Sequence, residues 1–294
     1  RGTRRALKTL FFGTSAFALP SLDVVADRTD LLGVVTQPDR PAGRGQRLRP
    51  SHVKRAAIDR GARVYEPADL RAFASELESI EIDAFILASY GRVLPRALVA
   101  LPAMGALNVH PSLLPRYRGA TPIQAALLAG DRETGVTIML MDAGLDTGEI
   151  VLQERLAIEP EDDYLSLHDR LARLGAELLG RAFELAERDG AFARGQQEGE
   201  PSLTRPIRKG DLEIDWSWPA QRIVNHVRAY SPQPAARATV KGMTLKILKA
   251  HIATGAQEAL TVPCGDGAVV IDALVAPSHA RESGDAFARR IGAL

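Results

Sequence analysis

Short apolar runs alternate with amphipathic helical patterns along the first two thirds of the chain, and this alternation restricts the fold more than any other feature. The runs LKTLFFG, LLGVVTQ, RVYEP, DAFILAS and ALNVHP predict strands, and GVTIMLMD and GEIVLQERLAI predict a later hairpin-like pair. Strands that alternate with helices build a mostly parallel sheet with helices on its faces. The sequence therefore predicts an α/β fold with a Rossmann-like, mostly parallel sheet.

The pattern changes near residue 190. Leucines at helical spacing predict one long helix that ends at Gly190. Residues 191–209 are rich in Gly, Gln, Pro and charge and have no period, as is typical of a linker. Beyond them, short strand patterns separated by glycine turns predict a small β-barrel or sandwich. Because 294 residues are many for one core, we expect a first domain over 1–190, the linker over 191–209 and a second domain over 210–294.

Composition excludes several classes of protein. Hydrophobic residues make up 46% and charged residues 25% of the sequence, which is ordinary for a soluble globular protein. No apolar run approaches the roughly 20 residues that a bilayer span needs, and the start, RGTRRALKTLFF, lacks the pattern of a secretory signal. The single cysteine, Cys264, excludes an internal disulfide and a cysteine-based metal cluster. We therefore expect a cytoplasmic protein that does not cross a membrane and holds no metal.

Basic residues concentrate in two zones that the formal net charge of +1 conceals. The first zone spans residues 36–63 and the second spans residues 201–250. Two basic zones far apart in the sequence favour one extended polyanion that touches both domains. Taken singly, either zone is also compatible with solvated surface charge.

Asn108 and His110 stand two residues apart at the end of the predicted strand ALNVHP. Side chains two apart on a strand share a face, and open α/β sheets bind ligands at the carboxyl ends of their strands. An amide N–H can hold a developing oxyanion, and an imidazole can move protons near neutral pH. The pair suits acyl-group chemistry, although most isolated Asn-x-His pairs are structural.

A carboxylate would fix the tautomer of such a histidine, and the segment LMDAGLDTGEIV offers Asp142 and Asp146. Asp142 ends the predicted strand and suits a turn or a cap. Asp146 lies between Gly144 and Gly148, where the backbone can bend to present a side chain. We favour Asp146 as the partner of the histidine and leave Asp142 as the alternative.

Other catalytic signatures are weak. The first strand ends in FFGTSAF, with one glycine where a dinucleotide site has G-x-G-x-x-G, and this disfavours a dehydrogenase. The tripeptide DTG occurs once, so an aspartic protease would need a symmetric dimer. Neither H-E-x-x-H nor a Cys/His cluster offers a metal site in the sequence.

Five segments of the sequence, taken in order, carry a family resemblance. They are LFFGTSAFALPSL, VVTQPDRPAGRGQRLRPSHVK, GALNVHPSLLPRYRGATPIQAALLAGDRETGVTIMLMDAGLDTGEIV, SLHDRLARLGAELL and DLEIDWSWPAQRIVNHVRAYSP. Together they resemble the 10-formyltetrahydrofolate-dependent formyltransferases over nearly the whole chain, from Leu10 to Asp272. The RPAGRG loop and the second domain are similar to the members of that family that act on tRNA.

The resemblance implies transfer of a formyl group from 10-formyltetrahydrofolate to the α-amino group of methionine on initiator tRNA. It implies that the catalytic trio is Asn108, His110 and Asp146, and that the folate lies against Ser112, Leu113, Leu114 and Pro115. It further implies an OB-like second domain and tRNA contacts from Arg40, Arg44, Arg47, Lys209 and Lys246. We expect a monomer that uses the folate as formyl donor.

Three points stay open at the level of the sequence. His110 could act protonated, steadying the oxyanion while a water held by Asp146 takes the proton, or neutral, taking the proton itself. Arg116 and Arg118 could touch substrate or anchor the following helix. The acceptor could also be an amino sugar nucleotide or another small amine, and a non-catalytic RNA-binding protein is the alternative from a different class.

Overall fold

The computed structural model describes residues 5–42, 47–255 and 260–292, and within these ranges no helix is long and apolar enough to cross a membrane. The chain forms two compact units. The first comprises Arg1–Ala120, Gly135–Leu156 and Asp169–Leu203, and the second comprises Thr121–Thr134, Ala157–His168 and Thr204–Leu294. The finer division at residues 191–209 stays a prediction.

A seven-stranded sheet forms the first unit. Its strands are β1 (Lys8–Gly13), β2 (Asp30–Val35), β5 (Val64–Tyr65), β6 (Ala84–Ala88), β7 (Ala106–His110), β9 (Glu133–Leu140) and β10 (Ile150–Ala157), in the order β10-β9-β7-β6-β1-β2-β5. The strands from β5 to β7 pair in parallel, and β9 pairs with β7 antiparallel. The mostly parallel α/β fold is confirmed, and the predicted hairpin-like pair is β9 beside β10.

Helices and short strands lie between the strands of this sheet in the chain or follow its last strand. The short strands are β3 (Arg40–Ala42) with β4 (Arg47–Arg49) and β8 (Arg118–Gly119) with β11 (Leu203–Thr204), and the helices are α1 (Leu19–Arg28), α2 (His52–Asp59), α3 (Leu70–Leu77), α4 (Arg96–Val99) and α6 (Tyr164–Asp189). The Ser51 hydroxyl caps α2 by accepting from Lys54 N–H. Helix α6 ends where the sequence predicts, since Gly190 adopts φ +79° and its N–H bonds the Ala186 carbonyl.

Phe12 and Phe85 lie at the centre of the core on one face of the sheet. Both side chains are fully buried, and their ring centroids are 5.0 Å apart. Helices α3 and α4 cover them with apolar residues that include Phe73, Leu77 and Leu98. Every residue of β6 is buried, which explains why its sequence, AFILA, is an uninterrupted apolar run rather than an alternating one.

The order of the strands locates the ligand-binding edge of the sheet. The chain runs from β1 outward to β2 and β5, then returns to β6 on the other side of β1. The carboxyl ends of β1 and β6 flank this reversal, where Thr14 N–H bonds the Ser89 carbonyl at 3.1 Å. Open α/β sheets bind ligands at such a reversal. Strand β7, which carries Asn108 and His110, is the next strand beyond β6.

An antiparallel sheet forms the second unit. Its strands are β12 (Ala236–Val240), β13 (Met243–Ile252), β14 (Thr261–Cys264), β15 (Gly267–Val275) and β16 (Arg281–Ser283), in the order β12-β13-β15-β14 with β16 also on β15. Helices α5 (Pro122–Ala129), α7 (Ala220–Tyr230) and α8 (Gly284–Arg290) complete it. Its core includes Ile223, Val227, Leu245, Ile271 and Phe287. The strands predicted for this part of the chain are present, while closure into an OB-like barrel stays a prediction.

Phe85→Ala is expected to destabilise the first unit by about 3–5 kcal/mol, because it removes a fully buried ring and leaves a cavity beside Phe12. Urea unfolding followed by circular dichroism measures the change. Val93→Ala, at a residue that is 87% exposed, is the control and should change the free energy of unfolding by less than about 0.5 kcal/mol. Equal effects of the two substitutions would contradict this placement of the core.

Candidate active site

Strand β7 presents Asn108 and His110 on one face at its carboxyl end. Asn108 lies opposite Leu87 of β6 and Met139 of β9, and His110 lies opposite Thr137 of β9. Alternation along the strand turns both side chains to the same face, as the sequence predicts. His110 is 3% exposed and Asn108 is half-buried. Because β7 is paired on both sides, these side chains stand on backbone that the sheet holds in place.

The loop between β9 and β10 presents Asp146. Asp142 closes a turn within that loop, because its Oδ1 accepts from Gly144 N–H at 2.9 Å and from the Thr147 hydroxyl at 2.7 Å. Asp146 has φ +51°, in the left-handed backbone region that residues other than glycine adopt uncommonly. Asp142 is therefore a turn former, and Asp146 is the carboxylate that reaches β7.

Asn108, His110 and Asp146 meet at the end of β7. Asp146 Oδ1 accepts from Asn108 Nδ2 at 3.4 Å, and Asp146 Oδ2 lies 3.7 Å from His110 Nδ1. Gly119 N–H donates to the same Oδ2 at 2.8 Å and so fixes the carboxylate. The structure thus brings together the three side chains singled out in the sequence, and the carboxylate links the other two.

The hydrogen bond of His110 Nε2 fixes the position of the ring proton. Nε2 lies 3.1 Å from the Tyr117 carbonyl, which can only accept, so Nε2 carries the proton of the neutral ring. Burial lowers the pKa of His110 below its ordinary value of 6.5, while the Asp146 charge and the Tyr117 hydrogen bond act in the opposite direction. At neutral pH the ring is therefore neutral, with its lone pair on Nδ1, on the side of Asp146.

This arrangement can stabilise negative charge on an oxygen atom and accept a proton. Asn108 offers an amide N–H, and neutral His110 can take a proton at Nδ1, where the resulting cation would face Asp146. Attack of an amine on a carbonyl carbon requires both functions. Across residues 5–42, 47–255 and 260–292, no group of three or more His, Cys, Asp or Glu side chains is placed to hold a metal ion.

Residues 112–115, directly after His110, form a short segment that we call the wall. Its backbone is held by hydrogen bonds from one residue of β9 and one residue of β10. The Thr137 hydroxyl donates to the Ser112 carbonyl at 2.7 Å and accepts from Leu114 N–H at 3.2 Å. Gln153 Nε2 donates to the Leu114 carbonyl at 3.0 Å and to Thr137 Oγ1 at 2.8 Å. The wall consists of buried Ser112, Leu114 and Pro115 and half-buried Leu113. Sequence reasoning missed Thr137 and Gln153, because they act on main-chain groups and belong to no motif.

Arg116 and Arg118 differ in their contacts. Arg116 Nη2 donates to the Tyr117 hydroxyl at 2.8 Å. Arg118 donates to Gln197 Oε1 from Nη2 at 2.7 Å and from Nε at 3.2 Å. Arg118 therefore contacts the segment predicted as a linker, which sequence reasoning did not foresee because that segment has no period.

Arg40 is exposed, and its guanidinium is oriented by a hydrogen bond. Its Nη2 donates to Gln37 Oε1, and Gln37 Nε2 donates in turn to the Tyr90 carbonyl at 2.5 Å. Arg44 lies outside the described residues, as does the side chain of Arg47. The structure thus places one of the three predicted basic residues of this loop, beyond the carboxyl end of β2.

Lys209 and Lys246 lie in the second unit, and both are exposed. Lys209 begins a short 3-10 helix, Lys209–Leu212, and Lys246 lies on β13. Lys249, on the same strand, forms an ion pair with Glu161 at 3.2 Å between Nζ and Oε2. The two predicted lysines thus belong to the second unit, and the cluster around His110 belongs to the first.

Two family profiles match the sequence. Formyl transferase matches residues 8–183, and Formyl transferase, C-terminal domain, matches residues 206–292. An N-formyltransferase from Helicobacter canadensis, solved with folinic acid and dTDP-3-aminofucose, shares the fold with a TM-score of 0.66 at 18% identity, over 90% of this chain and 98% of its own. HypX from Aquifex aeolicus in complex with tetrahydrofolic acid has a TM-score of 0.63 at 18% identity, over 98% of this chain and 47% of its own. The structures share the fold, and the two profiles, which together match most of the chain, identify it as a formyl transferase.

Relatives at higher identity narrow the class. A methionyl-tRNA formyltransferase from Anaeromyxobacter dehalogenans is 43% identical over 282 residues, which cover 90% of each chain. A methionyl-tRNA formyltransferase from Trichlorobacter lovleyi is 37% identical over 293 residues, which cover 95% of this chain and 93% of the relative. The chain belongs to the methionyl-tRNA formyltransferase family, which confirms the resemblance found in its sequence.

The stability of the protein is expected to fall below pH 6.5 partly because of His110. Burial holds its folded-state pKa below the ordinary 6.5, so the unfolded chain binds a proton that the folded chain does not, and stability is lost as the pH falls through that window. His110→Asn should remove this contribution, which is at most about 1.4 kcal/mol per pH unit. Urea unfolding above and below pH 6.5 measures it. If the free energy of unfolding changed with pH equally in the wild type and in His110→Asn, the prediction would be contradicted.

Proposed function

We propose that the chain transfers the formyl group of 10-formyltetrahydrofolate to the α-amino group of methionine on initiator tRNA. The observation that carries this proposal is the meeting of Asn108, His110 and Asp146 at the carboxyl end of β7, directly before the wall at residues 112–115. Membership of the methionyl-tRNA formyltransferase family supports the choice of acceptor. The likeness in fold to a protein solved with tetrahydrofolic acid is in keeping with a folate donor.

In this reaction the amine nitrogen attacks the formyl carbon, a new C–N bond forms, and the bond from that carbon to N10 of the folate breaks. One N–H of Asn108 Nδ2 faces Asp146, and the other donates to the formyl oxygen as it becomes an oxyanion. Neutral His110 takes the proton of the attacking amine at Nδ1 and passes it to N10 of the departing folate. The products are N-formylmethionyl-tRNA and tetrahydrofolate.

The wall at residues 112–115 is proposed to hold the flat pterin ring. Leu113 is half-buried and offers apolar surface, and it is continuous with buried Leu114 and Pro115. The Ser112 hydroxyl donates to the Arg116 carbonyl at 2.6 Å. Because Thr137 and Gln153 hold this backbone, the surface stays in position when the folate leaves.

Basic residues on both units are proposed to contact the phosphates of the tRNA. Such contacts release counterions, so binding should weaken steeply as salt increases. Arg40, whose guanidinium Gln37 already orients, loses less freedom on binding than an unsupported arginine. The proposed contacts are Arg40, Arg44, Arg47, Lys209 and Lys246. We further propose that the protein acts as a monomer in the cytoplasm.

A formylation assay with 10-formyltetrahydrofolate tests this function. The acceptors to compare are methionyl-tRNA, uncharged tRNA, free methionine and an amino sugar nucleotide. Product from methionyl-tRNA alone is the expected result. Product from the amino sugar nucleotide instead would favour the alternative acceptor, and no product from any acceptor would refute formyl transfer.

Asn108→Ala is expected to lower kcat for formylation by about 100- to 1000-fold, because it removes the donor that stabilises the oxyanion. His110→Asn is expected to lower kcat as well, because it removes the proton acceptor. Steady-state kinetics with methionyl-tRNA measures both, with circular dichroism as the check that each variant is folded. A folded variant that keeps near wild-type kcat would show that the side chain it lacks plays no part in catalysis.

Lys246→Ala is expected to weaken binding of methionyl-tRNA and to reduce the slope of log Kd against log salt by about 1, the value for one lost phosphate contact. Filter binding at several salt concentrations measures the slope. Lys249→Ala is the matched control on the same strand, since the Lys249 charge is already paired with Glu161 at 3.2 Å. If the two variants changed the slope equally, Lys246 would have no particular role in binding.

A further inference from the structure

Gln197 lies in the segment predicted as a linker, and its side-chain amide makes four hydrogen bonds. Its Nε2 donates to the Asp146 carbonyl at 2.9 Å and to the Gly148 carbonyl at 2.8 Å. Its Oε1 accepts from Arg118 Nη2 at 2.7 Å and from Arg118 Nε at 3.2 Å. Exchange of its oxygen and nitrogen would place an oxygen against two carbonyls, so the amide has one orientation. Gln197 is half-buried, whereas every other residue of 193–200 is exposed.

The amide of this glutamine joins the two backbone segments that fix the site. Arg118 lies between Tyr117, whose carbonyl accepts from His110, and Gly119, whose N–H donates to Asp146. The two carbonyls that the amide binds belong to the loop that carries Asp146. One side chain therefore ties the segment that holds the imidazole to the loop that supplies the carboxylate.

The Asp146 loop needs such support for two reasons. Its backbone at Asp146 has φ +51°, in the left-handed region, which is less favourable than the right-handed region for any residue with a Cβ although aspartate tolerates it better than most. The contacts of the carboxylate with Asn108 and His110 are already long, at 3.4 and 3.7 Å. A small displacement of the loop would therefore separate the carboxylate from both partners.

We propose that Gln197 is a positioning residue for the reaction, which sets Asp146 against His110 and Asn108 through the backbone of the loop. This inference rests on the proposed function of those three side chains. Gln197 does not touch the reacting atoms, so its loss should slow the chemical step and leave substrate binding nearly unchanged.

Two substitutions test the role of the amide. Gln197→Leu removes all four hydrogen bonds, and Gln197→Glu keeps an acceptor for Arg118 but has no N–H for the two carbonyls. Each is expected to lower kcat for formylation by about 100-fold, with KM for both substrates changed by less than about twofold. Gln196→Leu is the matched control, since Gln196 is exposed and makes one long contact with Glu149, at 3.4 Å. Wild-type kcat in both Gln197 variants would overturn the proposal.

A double-mutant cycle separates positioning from a general structural role. If Gln197 acts through Asp146, Gln197→Leu should have little further effect on kcat in the Asp146→Asn protein. A merely structural role predicts the same fold-loss in both backgrounds, because independent effects add as free energies. Equal losses in the two backgrounds would therefore overturn the proposal.

A titration of the His110 ring by NMR tests the same point without turnover. The Asp146 charge raises the pKa of His110, so a displaced carboxylate should move the midpoint to lower pH in Gln197→Leu and leave it unchanged in Gln196→Leu. An unchanged midpoint in Gln197→Leu would overturn the positioning role. Absence of formylation by the wild type would refute the proposed function, and the titration would then decide the role of Gln197 by itself.

Discussion

The contact of the Asp146 carboxylate with the end of β7 is the interaction on which the rest of the site depends. The carboxylate accepts from Gly119 N–H at 2.8 Å and reaches Asn108 and His110 at 3.4 and 3.7 Å. A carboxylate drawn out of water must regain hydrogen bonds, because an unpaired buried charge is strongly destabilising. Asp146 regains hydrogen bonds from Gly119 N–H and Asn108 Nδ2, which are parts of the site itself. The stability of its loop and the geometry of the site therefore have the same origin.

The sheet supplies the rigidity that this contact needs. Strand β7 is paired on one side with β6 and on the other with β9, and Thr137 of β9 holds the backbone of Ser112 from directly beside His110. The loop that carries Asp146 returns tightly onto β9, since a Cβ at Gly148 would lie 1.7 Å from the carbonyl oxygen of Leu140. A glycine is thus required there, and it brings the carboxylate back to the strand end.

The strand that carries Asn108 and His110 could be predicted from its sequence. The side chains that support these two residues could be predicted only in part. A period of two places Asn108 and His110 on one face wherever the segment is extended. The sequence favoured Asp146 over Asp142 on local grounds, and the hydrogen bonds of the two carboxylates then distinguish the turn former from the residue that reaches β7. Gln197 lay beyond sequence reasoning, because its acceptors are main-chain carbonyls, which leave no residue pattern.

Burial and the Asp146 charge act on His110 in opposite directions, and the proposed reaction uses both. Burial lowers the pKa of His110, so the ring begins neutral and can accept the proton of the amine. As the proton arrives at Nδ1, the ring becomes a cation 3.7 Å from a carboxylate oxygen. An attraction that grows only as the proton is transferred stabilises the transition state more than the ground state, and interactions of that kind raise kcat. Of the two protonation schemes that the sequence leaves open, the buried site therefore favours the one in which neutral His110 takes the proton.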